Sequence, residues 1–110
     1  MQDMTEDFQL GFAMGVIAAA GSFTGDWRKP ALQIKMHARD QATLNFLQRL
    51  FGGKVYGPYT HGDRHYCLWS LRGAQLRQSI VIFIRHLPES YKRTQFMEWA
   101  GRYFKDLLPE

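Results

Sequence analysis

The chain of 110 residues has a single cysteine, Cys67, so it cannot close an internal disulfide, which suits a reducing interior such as cytosol or nucleus. No apolar run approaches the length of a membrane span. The opening MQDMTEDF is acidic where a secretion signal is basic, so no signal peptide is expected. No repeat, low-complexity tract or linker interrupts the chain, which reads as one unit over residues 1–110. There is no P-loop, no dinucleotide fingerprint and no Ser-His-Asp arrangement. The most informative shortage is local. In GFAMGVIAAAGSF, residues 11–23, Ala18-Ala19-Ala20 precede Gly21 and offer no charge, no side-chain hydrogen bond and no metal ligand.

What is present describes an ordinary globular protein, 45% hydrophobic and 22% charged, and not a disordered one. Fourteen Lys and Arg against ten Asp and Glu leave a net charge of +4. That excess permits nucleic-acid binding without proving it.

The local patterns predict α+β structure. A helix is expected over 5–19, with Thr5 as its cap and Glu6 and Asp7 at the positive end of its dipole. Gly21 stops it. A hairpin follows over 21–39, turning at DWRKP. In its second arm Leu32, Ile34 and Met36 alternate with Gln33, Lys35, His37 and Arg39, so one set faces a core and the other faces out. Asp40 starts a helix over 41–51, which Gly52-Gly53 end. A second hairpin has arms at 54–59 and 64–71, joined by residues 60–63, and helices follow over 73–86 and 88–107. The order gives a four-stranded antiparallel sheet with helices on one face and the other face open.

Three constellations stand out. Gly11, Gly15 and Ala19 recur every fourth residue, a line of minimal side chains along the first helix. Such a line permits close helix approach, either to the protein's own sheet or to the same helix in a second subunit. The outward sheet face collects Gln33, Lys35, His37 and Arg39, with Tyr56, Arg64 and Tyr66 from the second hairpin and Arg28 and Lys29 at the first hairpin's tip. Alternating donors and aromatics suit base edges in a major groove; a solvated sheet face carries the same residue types. His61, His65 and Cys67, with His37 as a fourth, have passable zinc-ligand spacing. The first pair spans an expected turn and Cys67 alternates inward with Trp69 and Leu71, so no metal is expected there.

Residues 13–21, AMGVIAAAG, followed by Ser22-Phe23, resemble the LAGLIDADG motif of homing endonucleases. In order along the chain come the hairpin, Arg39-Asp40 opening a helix, FGGKVY at 51–56, the strand with Trp69, and Lys92-x-x-Gln95 at the start of a last helix. The resemblance covers nearly the whole chain. It implies an αββαββα fold whose sheet forms half of a saddle over double-stranded DNA. It further implies a homodimer paired through the motif helices, a pseudo-palindromic site, and intron or intein mobility inside a prokaryotic cytoplasm or an organelle. In the family, the acid just before the motif's last glycine binds the Mg2+ or Mn2+ that drives phosphodiester hydrolysis. Here that position is Ala20, beside Gly21, and the earlier motif acid is Ala18. Lys92 matches the family's active-site lysine. The family's frequent glutamine falls at Ala38 or Arg39. The resemblance thus implies a DNA-binding homodimer that is inactive as written, whether Ala20 is natural or introduced. A non-cleaving regulator or RNA-splicing maturase on the same scaffold is the alternative, and a dimerisation module without nucleic acid a third.

Overall fold

The computed structural model describes residues 5–25 and 29–109. In chain order these form α1 (Glu6–Ala20), β1 (Ser22–Thr24), β2 (Ala31–His37), a short 3-10 turn (Ala38–Asp40) and α2 (Gln41–Phe51). Then come β3 (Lys54–His61), β4 (Arg64–Arg72), α3 (Gly73–His86), α4 (Tyr91–Tyr103) and a second 3-10 turn (Lys105–Leu107). The strands make one antiparallel sheet in the order β1-β2-β4-β3, so the α+β expectation holds.

The helices begin and end for identifiable reasons. Thr5 caps α1, its Oγ1 accepting the Phe8 N–H at 3.2 Å. Gly21 ends α1 in extended backbone rather than the left-handed form, at φ −67°. It is needed there for closeness: a Cβ would stand 2.6 Å from the Ile17 carbonyl oxygen. The chain therefore passes from helix to strand without a loop. Asp40 occupies the position before α2 but makes no side-chain cap hydrogen bond. Gly52 and Gly53 both have positive φ, and a Cβ on Gly53 would stand 2.6 Å from the Ser70 carbonyl oxygen. The Trp69 indole N–H donates to the Gly52 carbonyl at 2.9 Å, fixing this turn against β4.

The core lies between the helices and one face of the sheet. Leu32, Ile34, Cys67, Trp69 and Leu71 from the strands pack with Ile17, Leu44, Leu47, Ile80, Phe83 and Phe96 from the helices. Each of these side chains is buried, and full burial of an aliphatic or aromatic side chain contributes about 1.5–3 kcal/mol. Arg93 ties α4 to α3. Its guanidinium donates to the Leu87 carbonyl at 2.7 Å and the Ile84 carbonyl at 2.9 Å, satisfying acceptors that the end of α3 leaves free.

Four boundaries differ from the sequence expectation. Arg39 is not on β2: the His37 Nδ1 accepts the Arg39 N–H at 3.1 Å and turns the chain into the 3-10 segment. The second hairpin turns on Gly62-Asp63 alone, because Gly62 takes positive φ and a two-residue turn suffices. β1 is only three residues long. The last helix runs over Tyr91–Tyr103, not 88–107, since Ser90 caps it by accepting the Arg93 N–H and Phe104 leaves helical geometry. Among the described residues, no helix is long and apolar enough to cross a membrane.

Candidate nucleic-acid interface

Pairing register makes the outward face a grid. Gln33 lies opposite Ser70, which lies opposite Lys54; Lys35 lies opposite Leu68, which lies opposite Tyr56. Residues directly opposite in an antiparallel pair share a face, so each trio forms a row across β2, β4 and β3. The next row is His37, Tyr66 and Tyr59, and the outermost pair is Arg64 with His61. Lys35 and His37 are exposed, Gln33 and Tyr66 half-buried, and Tyr56 and Arg64 exposed. The structure thus brings Gln33, Lys35, His37, Tyr56, Arg64 and Tyr66 onto one surface. Arg39 is exposed just beyond the end of β2, and Lys29 is exposed just before its start. Arg28 lies outside the described residues.

Contacts within the grid hold its side chains in place. The Lys35 ammonium sits 4.4 Å from the Tyr66 ring centroid, over its face. Buried Ser70 accepts from both Gln33 Nε2 at 3.4 Å and Arg72 Nε at 3.0 Å. Arg72 joins this face because β4 runs one residue past the expected end at 71, and Lys54 joins it by alternation with Tyr56, opposite Ser70. Tyr59 and His61 could not be found by alternation at all. Tyr56 and Tyr59 are three residues apart, yet their partners Leu68 and Tyr66 are two apart. One extra residue at Gly57-Pro58 makes a bulge that reverses the facing of everything after it. Tyr59 therefore stacks near Tyr66, ring centroids 5.6 Å apart, on the outward side. Thr60 and His65, bonded to each other at 3.1 Å, take the other side.

The end of α1 leads straight into this face, since Ser22 lies opposite Gln33. Ala20, the last helical residue, is half-buried. Beside it, Ser22 and the α4 residues Lys92, Gln95, Glu98 and Arg102 line a groove of about 310 Å³. Lys92 is thus placed close to the strand that follows Ala20. The donors needed for a divalent cation are another matter. Magnesium takes hard oxygen ligands, and Ala20 and Gly21 have no side-chain oxygen. Among the described residues, no group of three or more His, Cys, Asp or Glu could hold a metal. The chain as written does not fit the metal that the resemblance implies.

The rest of α1 presents an unusual surface. Ala13, Met14 and Ile17 are buried against the core, while Gly11, Gly15 and Ala19 are exposed on another side. A Cβ on Gly11 or Gly15 would meet nothing within 4 Å, so nothing in this protomer requires glycine there. Phe8 is 63% exposed and Phe12, packed edge-on against Phe46, 38%. A groove of about 450 Å³ runs beside the glycines, closed by Asp7, His86 and Pro88.

No family model and no curated relative matches the sequence. Solved structures do match. The homing endonuclease I-TnaI superposes with a TM-score of 0.70 at 23% identity, over 89% of this chain and 70% of that one. The I-SmaMI LAGLIDADG homing endonuclease bound to cleaved DNA gives 0.69 at 17% identity, over 91% of this chain and 39% of that one. The I-LtrWI LAGLIDADG homing endonuclease bound to target DNA gives 0.69 at 12% identity, over 98% of this chain and 40% of that one. The chain therefore spans about two-fifths of the length of the latter two. At these TM-scores this chain has the fold of the LAGLIDADG homing endonucleases.

Proposed function

We propose that the chain is a site-specific double-stranded DNA-binding protein of homing-endonuclease type that acts as a homodimer within the cell and does not cut DNA as written. The observation that carries this reading is the outward grid of the sheet. Lys35, His37 and Arg64 supply positive or protonatable groups, Gln33 a paired donor and acceptor, and Tyr56 and Tyr66 aromatic surface, all in register on one side. Arg and Lys suit guanine edges and Gln suits adenine, while Lys29, Arg39 and Arg72 flank the grid where phosphates would run.

One such face covers half a site. The second half comes from a second copy, paired along Gly11, Gly15 and Ala19. Glycine costs a helix about 1 kcal/mol relative to Ala, and in this protomer nothing repays it at Gly11 or Gly15. Two identical helices crossing there would use the missing side chains to bring their backbones together. That arrangement places two sheets side by side on a pseudo-palindromic site.

Catalysis fails at Ala20. A two-metal site clamps the attacking and leaving oxygens of the phosphodiester, and a methyl group gives such metals no anchor in either subunit. Lys92 and Gln95 line the groove beside Ser22, where they would meet the backbone of bound DNA.

The test starts from a duplex selected out of a randomised pool by the purified chain. The expected result is tight, salt-dependent binding of one dimer, without cleavage in Mg2+ or Mn2+. Lys35→Ala should weaken binding by about 1–3 kcal/mol and relax preference at one base pair. Tighter binding to structured RNA than to any duplex would replace this reading with the maturase one.

A further inference from the structure

We infer that Tyr59 and His61 read the outer base pairs of each half-site, and that the bulge at Gly57-Pro58 is the device that turns them toward DNA. This rests on the DNA-binding reading above and extends it to residues that strand alternation assigns to the wrong side.

The argument is geometric. In a regular ladder with Gly57 and Pro58 each taking a pairing position and no bulge, Tyr56 and Thr60 would share a face and Tyr59 would point toward the helices. With the bulge, Tyr59 stands opposite Tyr66 and His61 opposite Arg64, both on the side of Lys35 and Tyr56. Gly57 makes the bulge possible: it has φ +102°, and a Cβ there would stand 2.9 Å from the Tyr66 carbonyl oxygen. Tyr59 is 44% exposed although its ring is held against Tyr66. An aromatic left half-open on a polar face, with its orientation already fixed by a neighbour, loses little freedom on contact with a ligand. The tyrosine pair offers an apolar surface of the kind that meets a thymine methyl, and His61 beside Arg64 offers a donor for a purine edge.

Position decides which base pairs are concerned. Tyr59's row lies four residues along β2 from Gln33, the partner of Ser22, which is about 14 Å. Strand β3 is three strands from β1, about another 14 Å. The tyrosine pair is therefore on the order of 20 Å from the end of α1, or about six base-pair steps from the centre of the site.

The experiment uses the full chain and the duplex it selects, with a library randomised at every position. Tyr59→Ala and His61→Ala should each weaken binding about 5- to 100-fold and flatten preference at outer positions while inner preferences persist. Tyr59→Phe should retain that preference. Deletion of Pro58 leaves Gly57 alone opposite Cys67 and Tyr59 still opposite Tyr66, so outer preference should persist, and its loss in a protein that still melts cooperatively would overturn the inference. Should the deletion not fold, the point variants decide, since both side chains are exposed. Unchanged affinity and outer preference in both alanine variants, with Lys35→Ala still weakened, would overturn the inference and leave the DNA reading standing. Lys35→Ala also without effect would overturn both.

Discussion

Helices α1 and α2 each end at a glycine and each pack on the same core, yet their surfaces differ. In α2, Leu44, Leu47 and Phe51 are buried while Gln48 and Arg49 are exposed. The helix is finished by its own chain, apolar inside and polar outside. From Leu10 onward α1 has no polar side chain, so there both its buried and its exposed sides are apolar. Phe8, Phe12 and two glycines with open space above them face out. A helix that is apolar all round belongs inside something. The contrast separates what this fold needs to stand from what it holds ready for a partner.

Truncating α2 should show the larger effect. Leu47→Ala opens a cavity in a fully buried site and is expected to cost about 2–5 kcal/mol of folding stability. Thermal melting at fixed protein concentration should record a large drop, with folded protein still dimeric. A monomeric folded fraction would blur the distinction between the two helices. Gly15→Leu should do the reverse. Overpacking at a contact costs about 1–3 kcal/mol, and twofold symmetry applies it twice, so sedimentation should find monomer with little loss of secondary structure. A wild type that sediments as monomer at every concentration, with and without DNA, would remove α1 from consideration as an interface.

Gly15→Ala sharpens the comparison because its two effects have opposite signs. The methyl meets nothing in the protomer, so the isolated fold should gain up to about 1 kcal/mol of helix propensity. The same methyl stands between paired backbones and should raise the dimer dissociation constant. Denaturation at concentrations below and above dissociation would reveal both. A gain at both concentrations would mean the glycine line is not at the contact.

Ala20→Asp tests the far end of α1. A carboxylate at a helix C-terminus opposes the dipole, and pairing across the axis adds like-charge repulsion, so Tm without divalent cations should fall modestly. Mg2+ should restore it, and nicking of a plasmid carrying the selected site should follow. A Tm indifferent to Mg2+ would mean more of the site than position 20 is missing.

The smallest effect belongs to Arg77→Ala. Arg77 pairs with Asp106 across α3 and the final 3-10 turn, both side chains largely exposed. The hydrogen bond from Arg77 holds the Asp106 carboxyl below its ordinary range. A carboxyl depressed on folding stabilises above its unfolded value near 3.9 and loses that contribution as pH falls through the lower folded one. The variant should melt slightly below wild type at neutral pH, and the gap should close as pH falls through the lowered carboxyl range. An unchanged gap across that range would assign the loss to packing.

Much of this was legible in the residues. The alternation of β2 placed Leu32 and Ile34 in the core and the spacing of α2 placed Leu44, Leu47 and Phe51 there, while Leu50, at the same helical spacing, is exposed and Met36 only half-buried. The glycine line on α1 was visible as spacing, though only the structure shows the space above it. Alternation failed where the backbone breaks its own rhythm. Arg39 left the strand because a side-chain nitrogen of His37 captured its N–H. Tyr59 changed sides because a bulge is a property of strand pairing, which no single stretch contains, and His61, expected in the turn, joined the strand because the turn is only two residues long.

That bulge also says something about how such a surface could change over time. Substitution alters one contact at a time, whereas the bulge at Gly57-Pro58 lets the strand carry two residues opposite Cys67 while Tyr59 and His61 keep their places. It works on side-chain direction as an expansion joint works on length, taking up one residue without passing a shift along the strand. A binding surface built this way can lose that one residue and still display the same side chains.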